Sequence, residues 1–256
     1  MIRYDASTGV IELDGRTLQG FLSWLAMDHS SCDVPDEVRA DSALLDLSEA
    51  ERAGIFVEGR PAPELASLVE ALSSPWLVAA VEVTGTGERA SHQIWVRPEG
   101  GVGVVDTGAG QYRLGAVLPG SLPAVLVRLA LWGPRPHGGI ADDMVLPLEL
   151  VDPVRTSGGQ AAADALAEML SPSPMRDDLK AGRWRCVTIT TDWSPALLSD
   201  VPARSDAIVV MDTPSGLARY EPLPAGIRIT PTTMTALWPE LIRLTQPASP
   251  PPDRIS

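Results

Sequence analysis

Residues 76–117 read WLVAAVEVTGTGERASHQIWVRPEGGVGVVDTGAGQYRLGAV, and this stretch decides the fold of the chain. Apolar runs alternate here with turn-forming clusters at 84–89, 98–101 and 107–110. Glycine, proline and aspartate favour turns, whereas valine and isoleucine favour extended backbone. The stretch therefore predicts an antiparallel meander of about four strands.

Amphipathic helices are predicted on both sides of this meander. The two segments beside it carry apolar residues at the spacing that places side chains on one helix face: Leu65, Leu68, Val69 and Leu72 before it, and Leu122, Val125, Leu126 and Leu129 after it. An earlier helix is expected after Asp14, whose carboxylate suits an N-cap. Its apolar face would be Leu18, Phe21, Leu22 and Leu25.

The second half of the chain repeats this order of elements. Residues 161–170 are predicted to be helical, and residues 183–190 and 207–212 to be strands. A last helix is expected after Thr230 and Pro231, with Pro239 either kinking it or restarting it.

A short turn sequence occurs in each half of the chain, so the two halves can be aligned on it. Asp106-Thr107-x-x-Gly110 follows two valines, and Asp212-Thr213-x-x-Gly216 follows Val209-Val210-Met211. We interpret the two halves, about 62–132 and 159–244, as an internal duplication. The predicted fold class is α+β: a pseudo-twofold duplicated unit of antiparallel β-meander flanked by helices. It would form one domain over residues 1–246, followed by a disordered proline-rich tail at 247–256.

The same turns offer one catalytic interpretation. Asp106-Thr107-Gly108-Ala109 has the form of an aspartic-protease turn, in which two facing carboxylates share a proton. A bilobal aspartic hydrolase using Asp106 and Asp212 is therefore the alternative function. Pro214 stands where the second turn would need glycine, and the other interpretation is that Asp and Thr only end the strands at hairpins.

Charge and composition exclude several classes of partner. The 20 Lys and Arg face 33 Asp and Glu, which gives a formal net charge of −13. An acidic chain is poorly suited to nucleic acid or to anionic lipid, and no apolar run approaches the ~20 residues that a bilayer requires. Cytoplasmic localisation is expected, since the start of the chain shows no signal peptide and two cysteines do not make a disulfide framework.

Few residues suit metal binding or cofactor chemistry. The chain has three histidines, and His29 with Cys32 is the only close His/Cys pair, which is too small a set for a metal site. No glycine-rich phosphate loop and no Gly-x-Ser-x-Gly elbow occurs. We therefore expect neither a cofactor nor a metal, and no enzymatic activity.

One predicted strand suggests a binding surface. In Ser91–Arg97, alternation places His92, Ile94 and Val96 on one face. The wetter face then carries three candidate partner-binding residues: Gln93, Trp95 and Arg97. Tryptophan and arginine are enriched at interface hot spots, so Trp95 is a candidate anchor. The alternative is that a helix covers Trp95.

At this point the chain resembles a known family, EspG, whose members are associated with ESX (type VII) secretion. Residues 45–75 carry a short helix, then Gly54-Ile55-Phe56-Val57-Glu58-Gly59, then Pro63-Glu64-Leu65 and a Leu-Ser-Ser-Pro ending. The stretch 212–220, followed by Gly226-Ile227-Arg228-Ile229-Thr230-Pro231 and a helix, is similar to the C-terminal end of that family. The resemblance spans roughly residues 10–245.

The resemblance implies a cytosolic chaperone without catalysis. EspG proteins bind the tip of the PPE subunit in a PE–PPE heterodimer and present that pair to its secretion machine. A PE–PPE-type heterodimer is thus the implied partner. The loop 84–90 is short where the family has a longer hairpin loop, and no binding residue of the family transfers by motif.

Overall fold

A computed structural model describes residues 2–29, 45–140, 143–193 and 203–247, with side chains from 2–25 and the three later ranges. Within these ranges the strands are β1 Ile2–Asp5, β2 Val10–Asp14, β3 Phe56–Val57, β4 Arg60–Pro61, β5 Leu77–Gly85, β6 Glu88–Arg97, β7 Gly100–Gly108, β8 Gln111–Val117, β9 Met144–Leu146, β10 Arg185–Trp193, β11 Arg204–Thr213, β12 Gly216–Leu223 and β13 Gly226–Thr232. The α-helices are α1 Gly15–His29, α2 Leu47–Arg52, α3 Ala66–Ser73, α4 Leu122–Leu129, α5 Leu148–Ser157, α6 Gln160–Met169, α7 Pro174–Lys180 and α8 Met234–Thr245.

Eleven of these strands form one antiparallel sheet. Its order is β1-β2-β8-β7-β6-β5-β10-β11-β12-β13-β9, and β3 pairs with β4 separately. The meanders β5–β8 and β10–β13 meet at the centre, where β5 pairs with β10 over the register Leu77↔Trp193 to Gly85↔Arg185. The α+β fold class with a duplicated meander is confirmed. The limits of the halves, 62–132 and 159–244, stay a prediction.

The predicted meander of four strands is present, and its first hairpin is longer than expected. Thr84 pairs with Arg89 and Gly85 with Glu88, so only two residues form the turn. Gly87 has a φ of 73°, a left-handed conformation that suits a tight hairpin turn. The segment 84–90 is therefore mostly strand, and the β5–β6 connection is short, as the sequence indicated.

The predicted helices are also present. Asp14 accepts hydrogen bonds from the backbone N–H and the hydroxyl of Thr17, 2.9 Å each, which confirms the N-cap of α1. Leu18, Phe21 and Leu25 are buried on its inner face. The final helix α8 continues through Pro239 without restarting, contrary to one of the two expectations.

The overlay of the two Asp-Thr turns is wrong. Asp106 lies on β7, the third strand of the first meander, whereas Asp212 lies on β11, the second strand of its meander. The turns recur because every hairpin end needs polar residues and glycine, whichever strands it joins. At the first turn Gly110 has a φ of 71°, as the hairpin interpretation requires.

The two faces of the sheet are covered differently. On one face, α4 and α8 pack over the centre, where Leu126 and Leu241 are buried in one cluster with Val81 and Ile189. The opposite face carries two separate clusters, one beneath α1–α3 in the first half and one beneath α5–α7 in the second. We call these the covered face and the open face.

Cys186 gives a test of the second cluster on the open face. The side chain is 1% exposed and burial raises the pKa of its thiol to about 12, so almost no reactive thiolate forms near neutral pH. We expect Cys186 to resist iodoacetamide at pH 8 in the folded protein and to react completely in guanidinium chloride. Peptide mapping by mass spectrometry measures this, and rapid labelling of the folded chain would contradict the packing.

Candidate functional site

The candidate site lies on the open face between the two clusters. Alternation along the four central strands points one set of side chains to this face, and we call it the central floor: Val78, Ala80 and Glu82 on β5, Ser91, Gln93 and Trp95 on β6, Thr188, Thr190 and Asp192 on β10, and Ser205, Ala207 and Val209 on β11. All except Thr188 are exposed or half-buried. No element of the described ranges covers the middle of this floor.

Small side chains occupy the middle of the floor. Ala80 lies opposite Gln93 on one side and Thr190 on the other, and Thr190 lies opposite Ala207. Such residues leave the backbone of the sheet close to the surface. A partner can therefore approach the strands at this point.

Helices border the floor at both ends of the strands. At one end α3 packs against β6 and β7, and at the other end α5 packs against β5 and β10. Between α1 and strands β6 and β7 the floor continues into a cavity of about 320 Å³, lined among others by Leu18, Leu22, Gln93 and Trp95. The floor and this cavity form one recess.

The structure brings Gln93 and Trp95 to this recess and gives Arg97 a partner within the chain. Gln93 is exposed, and Trp95 is half-buried, packed on one side against the cluster beneath α1–α3. Arg97 Nη1 donates to Ser74 Oγ at 2.7 Å and to the Ser74 carbonyl at 3.2 Å. These hydrogen bonds hold Ser74, the residue that follows α3, close to β6 beside Trp95. Whether the three residues contact a partner stays a prediction.

The floor residues of β10 and β11 were not found from the sequence. Thr190 and Ala207 join the floor only because β10 pairs with β5, and no local pattern in either segment specifies that long-range pairing. The usable signal was the alternation in residues 186–192, where Val187 and Ile189 are buried and Thr190 and Asp192 are not.

Asp106 and Asp212 do not form a catalytic pair. Strands β6, β5 and β10 lie between their strands, which separates them by four strand spacings, or about 19 Å. A shared proton requires direct contact between the carboxylates. Asp212 instead binds Arg135 Nε at 2.7 Å and also accepts from Arg185. The aspartic-hydrolase alternative is therefore wrong.

His92 is buried on the face that it shares with Ile94 and Val96. Its Nδ1 accepts a hydrogen bond from the backbone N–H of Asp106, 3.1 Å. Burial lowers the pKa of His92 below its ordinary value, and the nearby charge of Asp106 offsets this only in part. The imidazole is neutral near pH 7 and holds the bulged end of β7 against β6.

Two searches of the described residues concern ligands and membranes. No set of three or more His, Cys, Asp and Glu residues is placed to hold a metal ion within the described ranges. No helix in those ranges has the length and apolarity that crossing a bilayer requires.

The molecule is thus an α+β protein with a long antiparallel sheet, and no described helix or strand covers the centre of its open face. No protein-family model and no curated protein sequence matches the chain. Its fold is similar to that of the Mycobacterium tuberculosis type VII secretion system chaperone EspG5, solved in complex with a PE25–PPE41 dimer. The TM-score is 0.56 at 14% identity, over 92% of this chain and 95% of that chain. The expected EspG-like fold is confirmed.

Proposed function

We propose that this chain is a cytoplasmic chaperone that binds a PE–PPE-type heterodimer and delivers it to an ESX (type VII) secretion system. The bare central floor supports this proposal most directly, since it offers a recessed protein-binding surface. The EspG5 fold supports it further, because that chaperone was solved with a PE–PPE dimer.

The width of the floor suits a pair of helices. Its four strands, β6, β5, β10 and β11, extend over three strand spacings, or about 14 Å. Two packed helices have axes 8–10 Å apart, so the end of one helical hairpin covers about this width. The tip of the PPE subunit, which the EspG resemblance implies as the bound element, is the occupant we propose.

The chemistry of the floor also suits an apolar tip with polar edges. Val78, Ala80 and Trp95 offer apolar surface, and Gln93 and Thr190 offer hydrogen-bonding groups beside it. In the proposed complex Trp95 is the anchor, Gln93 pairs with polar groups of the tip, and Arg97 positions the border of the site through Ser74. Interfaces of this kind combine a buried aromatic centre with a polar rim.

The test is co-expression with the PE–PPE-like pair encoded nearest to its gene. We expect a stable 1:1:1 complex by size-exclusion chromatography with light scattering, and a pair that aggregates when this chain is left out. If the pair is soluble alone and no complex forms, the proposed partner is wrong.

Replacement of Trp95 by alanine tests the anchor. We expect the affinity for the pair to fall about 30-fold, which corresponds to the roughly 2 kcal/mol typical of a hot-spot tryptophan. Calorimetric titration measures the affinity, and the melting temperature shows whether the variant folds. Trp238→Ala is the matched control, because Trp238 is exposed on α8 over the covered face. Equal affinities of the two variants would remove Trp95 from the interface.

A further inference from the structure

A second cavity lies on the covered side of the sheet, away from the central floor. It has a volume of about 540 Å³ and opens between the β5–β6 hairpin, the end of β7 and the last turn of α4. This volume is within the range of small-molecule sites. Its apolar wall is formed by Val83, Ala90, Val105, Leu129 and Leu131. Leu131 is 60% exposed, so the wall extends an apolar surface to the solvent.

The deepest polar group of the cavity is His92, which is 6% exposed. Because Nδ1 accepts the N–H of Asp106, the proton of the neutral ring resides on Nε2. Among the described residues Nε2–H has no hydrogen-bond partner. His92 lines the cavity, so this N–H is available to donate to a ligand acceptor there.

The α4 side of the cavity has an excess of positive charge. Arg128 lines the cavity and forms no ion pair with any described residue, although the whole chain has 33 acidic residues. Just beyond Leu131, whose carbonyl accepts from Arg185 Nη2, two guanidinium groups share one carboxylate: Arg135 and Arg185 on Asp212. An anion at this wall would meet the exposed guanidinium of Arg128, which no described carboxylate pairs with.

The acidic residues of the lining lie on the opposite side. Asp106 Oδ1 already accepts the Gly108 N–H at 2.8 Å, and Glu88 is exposed at the outer end of the hairpin. Glu88 and Arg89 carry opposite charges at the hairpin edge of the cavity, and Arg128 is the charged residue of the lining on α4. The α4 edge is therefore the one where a ligand anion meets no carboxylate of the lining.

We propose that this cavity binds a small aliphatic carboxylate. The alkyl chain would pack against Val83, Val105 and Leu129, and the carboxylate would accept from Arg128 and from Nε2–H of His92. The site lies on the other side of the sheet from the central floor, so the proposal is independent of the proposed chaperone function.

The experiment is calorimetric titration of the full chain with decanoate, and with decylamine as the oppositely charged probe of equal chain length. We expect saturable 1:1 binding of decanoate and at least tenfold weaker binding of decylamine. Arg128→Glu should weaken decanoate binding at least tenfold, since hydrogen bonds to charged groups contribute about that factor. Arg60→Glu is the control with the same charge change, because Arg60 also has no ion pair among the described residues and lies elsewhere.

Three outcomes would overturn the proposal. The first is that decanoate shows no saturable binding, and the second is that decylamine binds as tightly as decanoate. The third is that Arg128→Glu and Arg60→Glu change decanoate binding equally. Melting temperatures within about 2 °C of the parent would show that both variants fold. Val105→Phe gives a second check, because filling the cavity should abolish decanoate binding. Normal decanoate binding by this variant would place the ligand elsewhere and would also overturn the proposal.

Discussion

Replacement of Asp212 by alanine is expected to lower the free energy of unfolding by about 3 kcal/mol. The carboxylate is 1% exposed and lies between two arginines that are themselves about three-quarters buried. Removing it leaves two guanidinium groups with no counter-charge in a poorly hydrated place. Losing one partner of a buried ion pair costs more than the pair contributes, because the remaining charge keeps its desolvation penalty.

The position of Asp212 explains why the loss would spread beyond one contact. Arg135 belongs to the connection that leaves α4, and its bonds to Asp212 hold that connection against β11. The connection after α4 and the start of β12 are in close contact nearby, where a Cβ on Gly216 would meet the backbone N of Gly139 at 3.0 Å. Without the ion pair, this tight packing loses its support.

Urea unfolding monitored by tryptophan fluorescence measures the effect. Asp152→Ala is the control, because Asp152 pairs with Arg155 at 2.6 Å on the surface of α5 and both side chains are partly exposed. An exposed pair of this type contributes less than about 1 kcal/mol. A loss of under 1 kcal/mol for Asp212→Ala would show that the arginines reach water when the carboxylate is absent.

Local patterns were sufficient for the individual elements of this fold. The alternation in residues 91–97 correctly separated the buried Ile94 and Val96 from the exposed Gln93, and the carboxylate of Asp14 correctly marked the start of α1. These features depend on neighbours within a few residues along the chain. Periodicity and capping report such neighbours directly.

The pairing of strands that are far apart in the sequence could not be predicted from local patterns. The central contact of β5 with β10 joins residues 100 to 116 positions apart, and the floor exists only because of it. The turn overlay failed for a related reason, since Asp106 and Asp212 share a local sequence without sharing a place in the meander. Arg97 is a candidate partner residue because it shares the wetter strand face with Trp95, and no sequence pattern shows that Ser74 lies beside it.

The substitution Ala80→Arg is expected to weaken the complex with a PE–PPE-type pair by at least about 100-fold. Ala80 lies in the middle of β5, opposite Gln93 on one neighbouring strand and Thr190 on the other. Its small side chain leaves the backbone of the sheet close to the surface at this point. An arginine there would stand in the path of the bound tip and would bury an unpaired charge if the tip still docked. About 3 kcal/mol is a modest cost for that combination, and it corresponds to two orders of magnitude in affinity.

Titration of the purified pair, with Ala124→Arg as the control, measures this effect. Ala124 is exposed on α4 over the covered face, so its replacement adds the same side chain on the far side of the sheet. We expect the control to bind within twofold of the parent chain and both variants to melt at similar temperatures.

If Ala80→Arg binds normally while the 1:1:1 complex forms, the chaperone function holds and the docking surface lies elsewhere. If no complex forms with the parent chain, the function itself is wrong, so the two results separate the surface from the role.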